Sequence, residues 1–367
     1  MTASAPAPEI LFSVRGPLGL VTLNRPQALN ALTLGMYLAF DRQLALWQAD
    51  PAIKAVVVRG AGRAFCAGGD VVHVAESGLA GRSGTGDRGA LARDAFFAEY
   101  RLDRRIATLG KPYLPLLDGF VLGGGDGISL HGSHPVTTEH TRFAMPECVI
   151  GLFPDIGASH FLARCPGQIG LWLGLTGARL AAADLIYAGL ARHYVPQAGL
   201  EPLITDLEAA DWSGDGAAVA EAVLARHATS PGEPPLAGHR ILIDSCFVLE
   251  TVEEMIAALE SEHDAFAHAQ LDALRKGSPT SLKVTLRQLR EAAPLGLEDC
   301  LKMDFRLSQA FMRERDFYEG IRAQLVEKDK HPRWDPPTLA GVDAELVDRH
   351  FRFVPERELD FGTDWPL

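Results

Sequence analysis

Few of the motifs that most readily betray a function occur in this chain. Its five cysteines, Cys66, Cys148, Cys165, Cys246 and Cys300, are odd in number and widely spread, with no CxxC pair. That excludes a disulfide framework or a compact zinc knuckle and predicts packed, reduced thiols. Cys66 has no base marked beside it and reads as a buried thiol, not a nucleophile. No HExxH or tight His/Cys/Asp set surrounds His73, His131, His134, His140 or His160, so no metal is expected. Ser129 lacks the GxSxG elbow of a serine hydrolase. No apolar run reaches the roughly 18 residues of a membrane span. The opening MTASAPAPE has neither a basic segment nor an apolar signal core and reads as a short disordered tail. A cytoplasmic location is the expectation. Positive charge is scarce too: 35 Lys and Arg against 47 Asp and Glu give a formal net charge of -12. That argues against nucleic-acid and anionic-membrane partners. It leaves room for an anionic cofactor, because local basic residues and helix N-termini can hold phosphates.

What is present is a globular chain. With 367 residues, 47% of them hydrophobic, it can bury a large core. Ile10 to Val14 and Gly19 to Leu23 read as two strands around Gly16-Pro17. A helical pattern follows from Thr33, a cap candidate, to Ala49, and Pro51 stops it. Ile53 to Val58 is a compact strand, so the order strand, helix, strand predicts an α/β core. Residues 77–88 have loop composition, and Asp94 to Leu109 reads as a helix with Phe96, Phe97, Tyr100 and Ile106 on its apolar positions. Tyr113 to Val121 reads as a strand interrupted near Pro115. Helical segments are expected at Ile128 to Gly132, at Ile169 to Leu175 and from Ala181. The interval TSPGEPPLAG at 229–238 marks a boundary, giving a core over 9–228, a helical region over 239–330 and an extension over 331–367. In the helical region Thr251 and Glu254 have capping-box spacing, and Pro279 fits a first helical turn.

Two glycine clusters each follow a strand: FCAGGD, Phe65 to Asp70, and VLGGGDG, Val121 to Gly127. Three consecutive glycines cost backbone entropy. One reason to keep them is to bare N–H groups toward a ligand oxygen, where two converging donors stabilise developing negative charge. Tight turns or close packing are the competing reason, and neither cluster has the GxGxxG or GxxxxGK[ST] arrangement. A third stretch, FAMPECVIGLFPDIG, sets Glu147 and Asp155 among apolar and turn-forming residues, where burying a carboxylate is costly.

NRPQALNAL, IKAVVVRGAGRAFCAGGD, KPYLPLLDGFVLGGGDG and FAMPECVIGLFPDIGASHFL appear in this order. Together they resemble the crotonase, or enoyl-CoA hydratase/isomerase, superfamily, and its 3-hydroxyisobutyryl-CoA hydrolase family in particular. SPTSLKVTLRQL and DFYEGIRAQLVEKDKHPRW extend the likeness, which spans most of residues 9–334. The resemblance implies an α/β spiral of ββα repeats with a C-terminal helical region, which periodicity alone does not reveal. It implies an acyl-CoA substrate with coenzyme A as part of that substrate, no separate cofactor, and allows a homo-oligomer. The oxyanion donors it implies are the backbone N–H groups of Gly69 and Gly124. The catalytic acids it implies are Glu147 and Asp155.

Many hydratases of this superfamily use two glutamates, and the first would fall at Gly127. Its absence argues against ordinary hydration and fits the hydrolase branch. There Glu147 is expected to act as general base or as nucleophile, with Asp155 orienting the acyl group or water. An enoyl-CoA isomerase and a non-catalytic acyl-CoA-binding protein are the alternatives. Asp126, where the family usually has an apolar residue, is expected at an outward turn, and Ser159 and His160 depart from the usual segment.

Overall fold

The structure, a computed structural model, describes residues 7–82 and 90–362. The first strands are β1 (Ile10–Arg15), β2 (Leu18–Leu23), β3 (Ala55–Gly60) and β4 (Ala64–Cys66). They continue as β5 (Tyr113–Leu117), β6 (Phe120–Leu122), β7 (Val136–Thr137), β8 (Arg142–Ala144) and β9 (His193–Tyr194). A six-stranded sheet has the order β1-β2-β3-β5-β7-β9, and a three-stranded sheet the order β4-β6-β8. From β3 onward successive strands alternate between the two sheets, and after the β1–β2 hairpin every pairing is parallel. That alternation is the expected spiral: each repeat gives one strand to each sheet and then a helix.

Among the helices of the first half are α1 (Leu34–Ala49), α2 (Val71–Arg82), α3 (Ala90–Ala107), α4 (Gly124–Leu130), α5 (Ala158–Leu162) and α6 (Ile169–Thr176). Next come α7 (Ala182–Tyr187), α8 (Leu200–Ala209), α9 (Gly216–His227), α10 (Arg240–Phe247), α11 (Val252–Ser261) and α12 (Ala265–Lys276). The last are α13 (Pro279–Ala292), α14 (Leu297–Phe311), α15 (Asp316–Ile321) and α16 (Ala344–Phe351). Thr33 caps α1 by accepting from the Met36 N–H, and Thr251 and Glu254 close the capping box of α11.

The inner strands β3 and β5 of the large sheet are buried on both faces, as their apolar runs require, while the edge strand β1 is partly exposed. Val56 and Val58 of β3 enter the main core, while Ala55 and Val57 join Leu114, Leu116 and residues of α8 and α9 on the other face.

Local expectations shift in three places. Residues 77–82 continue α2 instead of forming a loop, and 83–88 lie outside the described residues. So do the first six residues of the N-terminal tail and Trp365. The expected strand Tyr113 to Val121 is two strands in different sheets. Its break falls at Gly119, not Pro115: Gly119 has φ +97°, and a Cβ there would lie 2.3 Å from the Arg63 carbonyl oxygen. Pro115 stays in β5 because the Val56 N–H donates to the Pro112 carbonyl. That register aims β3 at Pro112, Leu114 and Leu116, so Pro115 owes β3 no donor. The third shift is in the glycine run, which is itself the first turn of α4.

Candidate active site

The three strands of the small sheet run parallel, so their carboxyl ends lie along one edge and the segments leaving them meet there. The segment after β4 carries Gly69, the one after β6 carries Gly124, and the one after β8 enters a 3-10 helix whose first residue is Glu147. Local pairing then orients the donors. Leu32 bonds to the Gly68 carbonyl and the Asp70 N–H, which turns the N–H of Gly69 away from Leu32. Gly124 begins α4, where an N–H has no partner one turn earlier. A Cβ on Gly124 would lie 3.2 Å from the Gly69 nitrogen, so the two peptide groups stand side by side.

Glu147 is buried, and its Oε1 lies 3.1 Å from where a Cβ on Gly123 would be. Its Oε2 has no hydrogen-bond partner. Burial pushes this carboxyl well above the usual carboxylate range, and Asp155 and Glu99 push it further. Asp155, also buried, accepts a 2.6 Å hydrogen bond on Oδ2 from the Tyr100 hydroxyl. Burial raises it to about 6, while the Tyr100 bond pulls it down. The structure thus brings Gly69, Gly124, Glu147 and Asp155 into one neighbourhood.

Sequence reading missed the contribution of α1 and α3. Glu99 is buried on α3, and its Oε1 accepts a 2.6 Å hydrogen bond from the Tyr37 hydroxyl of α1. That hydroxyl lies 3.1 Å from the Cβ position of both Gly69 and Gly124, and Glu99 Oε1 lies 2.2 Å from that of Gly124. Even alanine at 124 would displace the acid. Burial holds Glu99 well above the ordinary range, with Asp155 adding to the rise. A signal was present: Glu99 and Asp103 fall on the same 3–4 spacing as Phe96, Tyr100 and Ile106, so two acids lie on an otherwise apolar stripe.

Asp304 of α14 was missed as well. It accepts from the Gly157 N–H (2.8 Å), the Ser159 hydroxyl (3.2 Å) and the Gln288 amide (2.8 Å), and Gln288 also donates to the Pro154 carbonyl (2.9 Å). The C-terminal helices therefore clamp the loop that presents Asp155. Burial pushes Asp304 up to about 8, against the pull of these donors. His131 Nε2–H donates to the Ile156 carbonyl (2.7 Å) in the same loop, where Ile156 has φ 61°. A β-branched residue in that region is strained, and these neighbours hold it there.

Asp126 corrects an expectation. It is fully buried in the first turn of α4, not outward, and neither carboxyl oxygen has a partner. The apolar packing of α4 drives it inward, and burial followed by Glu147 raises it well above the ordinary range. Cys66 is fully buried, and burial pushes its thiol far up, out of nucleophilic range. Arg25 pairs with Glu9 (3.0 Å) and Asp70 (3.1 Å), Lys54 is exposed ahead of β3, and Arg63 stands at the opposite end of β4 from Gly69. Among the described residues no group of three or more His, Cys, Asp or Glu is placed to hold a metal ion, and no helix is long and apolar enough to cross a membrane. Beside the Glu147 turn, a cleft of about 500 Å³ is walled by Leu122, Pro146 and Ile150, with Arg142, Arg179, Lys276 and Lys330 also in its lining.

A family model described as enoyl-CoA hydratase/isomerase matches residues 18–351. The chain belongs to this family. Within it, the chain is 44% identical over 358 residues to the mitochondrial 3-hydroxyisobutyryl-CoA hydrolase of Gallus gallus, covering 96% of this chain and 91% of that protein. The corresponding Homo sapiens enzyme is 42% identical over 360 residues, covering 97% and 91%. Among solved structures, a carnitinyl-CoA dehydratase from Mycobacterium thermoresistibile superposes with a TM-score of 0.89 at 42% identity, covering 97% of this chain and 99% of that one. An enoyl-CoA hydratase from Rhodobacter sphaeroides gives 0.88 at 37% identity, covering 96% and 100%. This member of the enoyl-CoA hydratase/isomerase family is thus closely related to the 3-hydroxyisobutyryl-CoA hydrolases. The relatives overturn the cytoplasmic expectation: the vertebrate hydrolases it matches are mitochondrial by name. Buried, unpaired cysteines do not tell one reducing compartment from another.

Proposed function

We propose that this protein hydrolyses the thioester of a short 3-hydroxyacyl-CoA, above all 3-hydroxyisobutyryl-CoA, to the free hydroxy acid and CoA, as in valine breakdown. The observation that carries the reading is the unpaired, buried Oε2 of Glu147 on the same sheet edge as the paired Gly69 and Gly124 peptides. The thioester oxygen lies between those two N–H groups, which stabilise it as the carbonyl carbon is attacked. Glu147 acts in one of two ways. As a base it takes a proton from water as the water oxygen bonds to the carbonyl carbon. As a nucleophile it forms an anhydride that water then opens. In both, the carbon–sulfur bond breaks and the departing thiolate takes up a proton. Asp155, fixed by Tyr100, orients the acyl group or the water. With glycine at 127, the first of the two hydratase glutamates is missing, which favours hydrolysis over hydration.

The basic lining of the cleft beside Glu147 suits the phosphates of CoA, in a chain that otherwise carries an excess of acid. Lys276→Glu should raise KM for the CoA thioester several-fold while leaving kcat in place; an unchanged KM would remove the cleft from CoA binding.

The main assay offers 3-hydroxyisobutyryl-CoA and isobutyryl-CoA and records free thiol and acyl product. Hydrolysis yields one thiol per substrate, whereas isomerisation leaves the thioester intact. Glu147→Gln should lower thiol release by about 100-fold or more, the scale of a lost general base, while acyl-CoA binding survives. A variant as active as the parent would remove Glu147 from the chemistry.

A further inference from the structure

Three of the buried acids around the site have hydrogen-bond partners, whereas Asp126 has none and Glu147 leaves one oxygen free. Glu99 has Tyr37, Asp155 has Tyr100, and Asp304 has Gly157, Ser159 and Gln288. Asp103 on α3 has none: it is fully buried, and both of its carboxyl oxygens lack a hydrogen-bond partner. A buried polar group left without a partner is expensive, and a fold that keeps one calls for a ligand to complete it.

Its position says which ligand. Asp103 lies three residues after Tyr100 and four after Glu99, so the three share the face of α3 that looks onto the site. Across from it stands Gly127, where a Cβ would lie 2.8 Å from Asp103 Oδ1, 3.0 Å from Oδ2 and 3.1 Å from Cγ. The carboxyl of Asp103 thus fills the space that a side chain at 127 would need. An acid reaches this part of the site after all, delivered by a different helix.

We propose that Asp103 is a further specificity-determining residue, whose carboxyl group binds the hydroxyl oxygen of the substrate's 3-hydroxyacyl group. This deepens the hydrolase reading and rests on it. A hydroxyl gives one hydrogen and accepts others. Asp155, held from behind by Tyr100, takes that hydrogen, and Asp103 supplies one to the oxygen. Asp103 can do so because burial, reinforced by Glu99, Asp155 and Asp304, holds it well above the usual carboxylate range and keeps its proton in place. A plain acyl group has no oxygen there and leaves Asp103 unpartnered.

The test compares kcat/KM for 3-hydroxyisobutyryl-CoA and isobutyryl-CoA in the parent, Asp103→Asn and Asp103→Leu. Leucine should cut the hydroxylated substrate by about tenfold or more while sparing the plain one. Asparagine, which still donates and accepts at that point, should retain most of the preference. Equal losses on both thioesters, or no loss on either, overturn the proposal. Leucine removes an unpaired buried acid, so its Tm should not fall below the parent's; if it fails to fold, Asp103→Ala serves for the same comparison. Binding of the two thioesters in a Glu147→Gln background reads the same preference without turnover. A parent that binds selectively but does not hydrolyse would therefore sink the hydrolase reading while leaving Asp103 judged on its own.

Discussion

The Tyr100 hydroxyl holds Asp155 near 6 by donating a hydrogen bond, against a burial cost that would raise it further. Tyr100→Phe removes the bond and keeps the ring in its packing against Phe96 and Phe305. Losing a stabiliser of the charged form moves the carboxyl upward. The acid limb of the kcat/KM profile should therefore shift to higher pH, with activity recovered on the alkaline side. A limb in the parent's position would mean that Asp155 is not the group titrating there. Glu147 obeys the same logic: in the proposed mechanism it works as a carboxylate, yet burial favours its acid form, so activity should rise with pH well beyond the range of an ordinary glutamate.

Helix α3 packs on α1, α2, α4 and α14 and brings Glu99, Tyr100 and Asp103 to the site from one stripe. Its approach to α4 is close enough to test. Gly127→Ala would set a methyl 2.8 Å from Asp103 Oδ1, so one helix must shift or Asp103 must leave its rotamer. The expected cost is about 1–3 kcal/mol of stability, as for other overpacked sites. Asp103→Ala in the same chain should recover much of it, a coupling that a double-mutant cycle in denaturant would measure. Additive effects would show that the two positions do not share that space. The loop carrying Asp155 depends on elements far along the chain, since Gln288 of α13 and Asp304 of α14 hold its backbone.

At the scale of the whole molecule, buried acids set a conflict between activity and stability. Asp304 sits at about 8 in the folded chain against an ordinary value of 3.8. A group raised in the folded state stabilises fully below its unfolded value, and that stabilisation is lost as pH climbs through the folded one. Glu99, Asp103, Asp126 and Glu147 are shifted in the same direction. Tm should therefore fall as pH climbs from about 4 through about 8, while the carboxylate proposed for catalysis becomes better ionised. Asp304→Asn should flatten part of that slope; an unchanged slope would place the loss elsewhere.

Strand and helix positions, the caps at Thr33 and Thr251 and the turn-forming glycines were readable because each depends on neighbours a few residues away. Glu147 and Asp155 stood out as acids set among apolar and turn-forming residues, whereas Gly69 and Gly124 were singled out from neighbouring glycines only by the family resemblance. The spiral itself did not show in periodicity, since each repeat's strands are short and divide between two sheets; its likeness to a family had to supply it. Asp126 and Asp304 look in sequence like ordinary charges on helices or turns, and only the apolar stripe that Glu99 and Asp103 interrupt sets those two apart. Whether such a charge faces water or its neighbours depends on which helices pack across it, and those lie up to a hundred or more residues away. Local chemistry wrote the strands, the caps and the motif; long-range packing decided that so many carboxyls would be shut away from solvent around it.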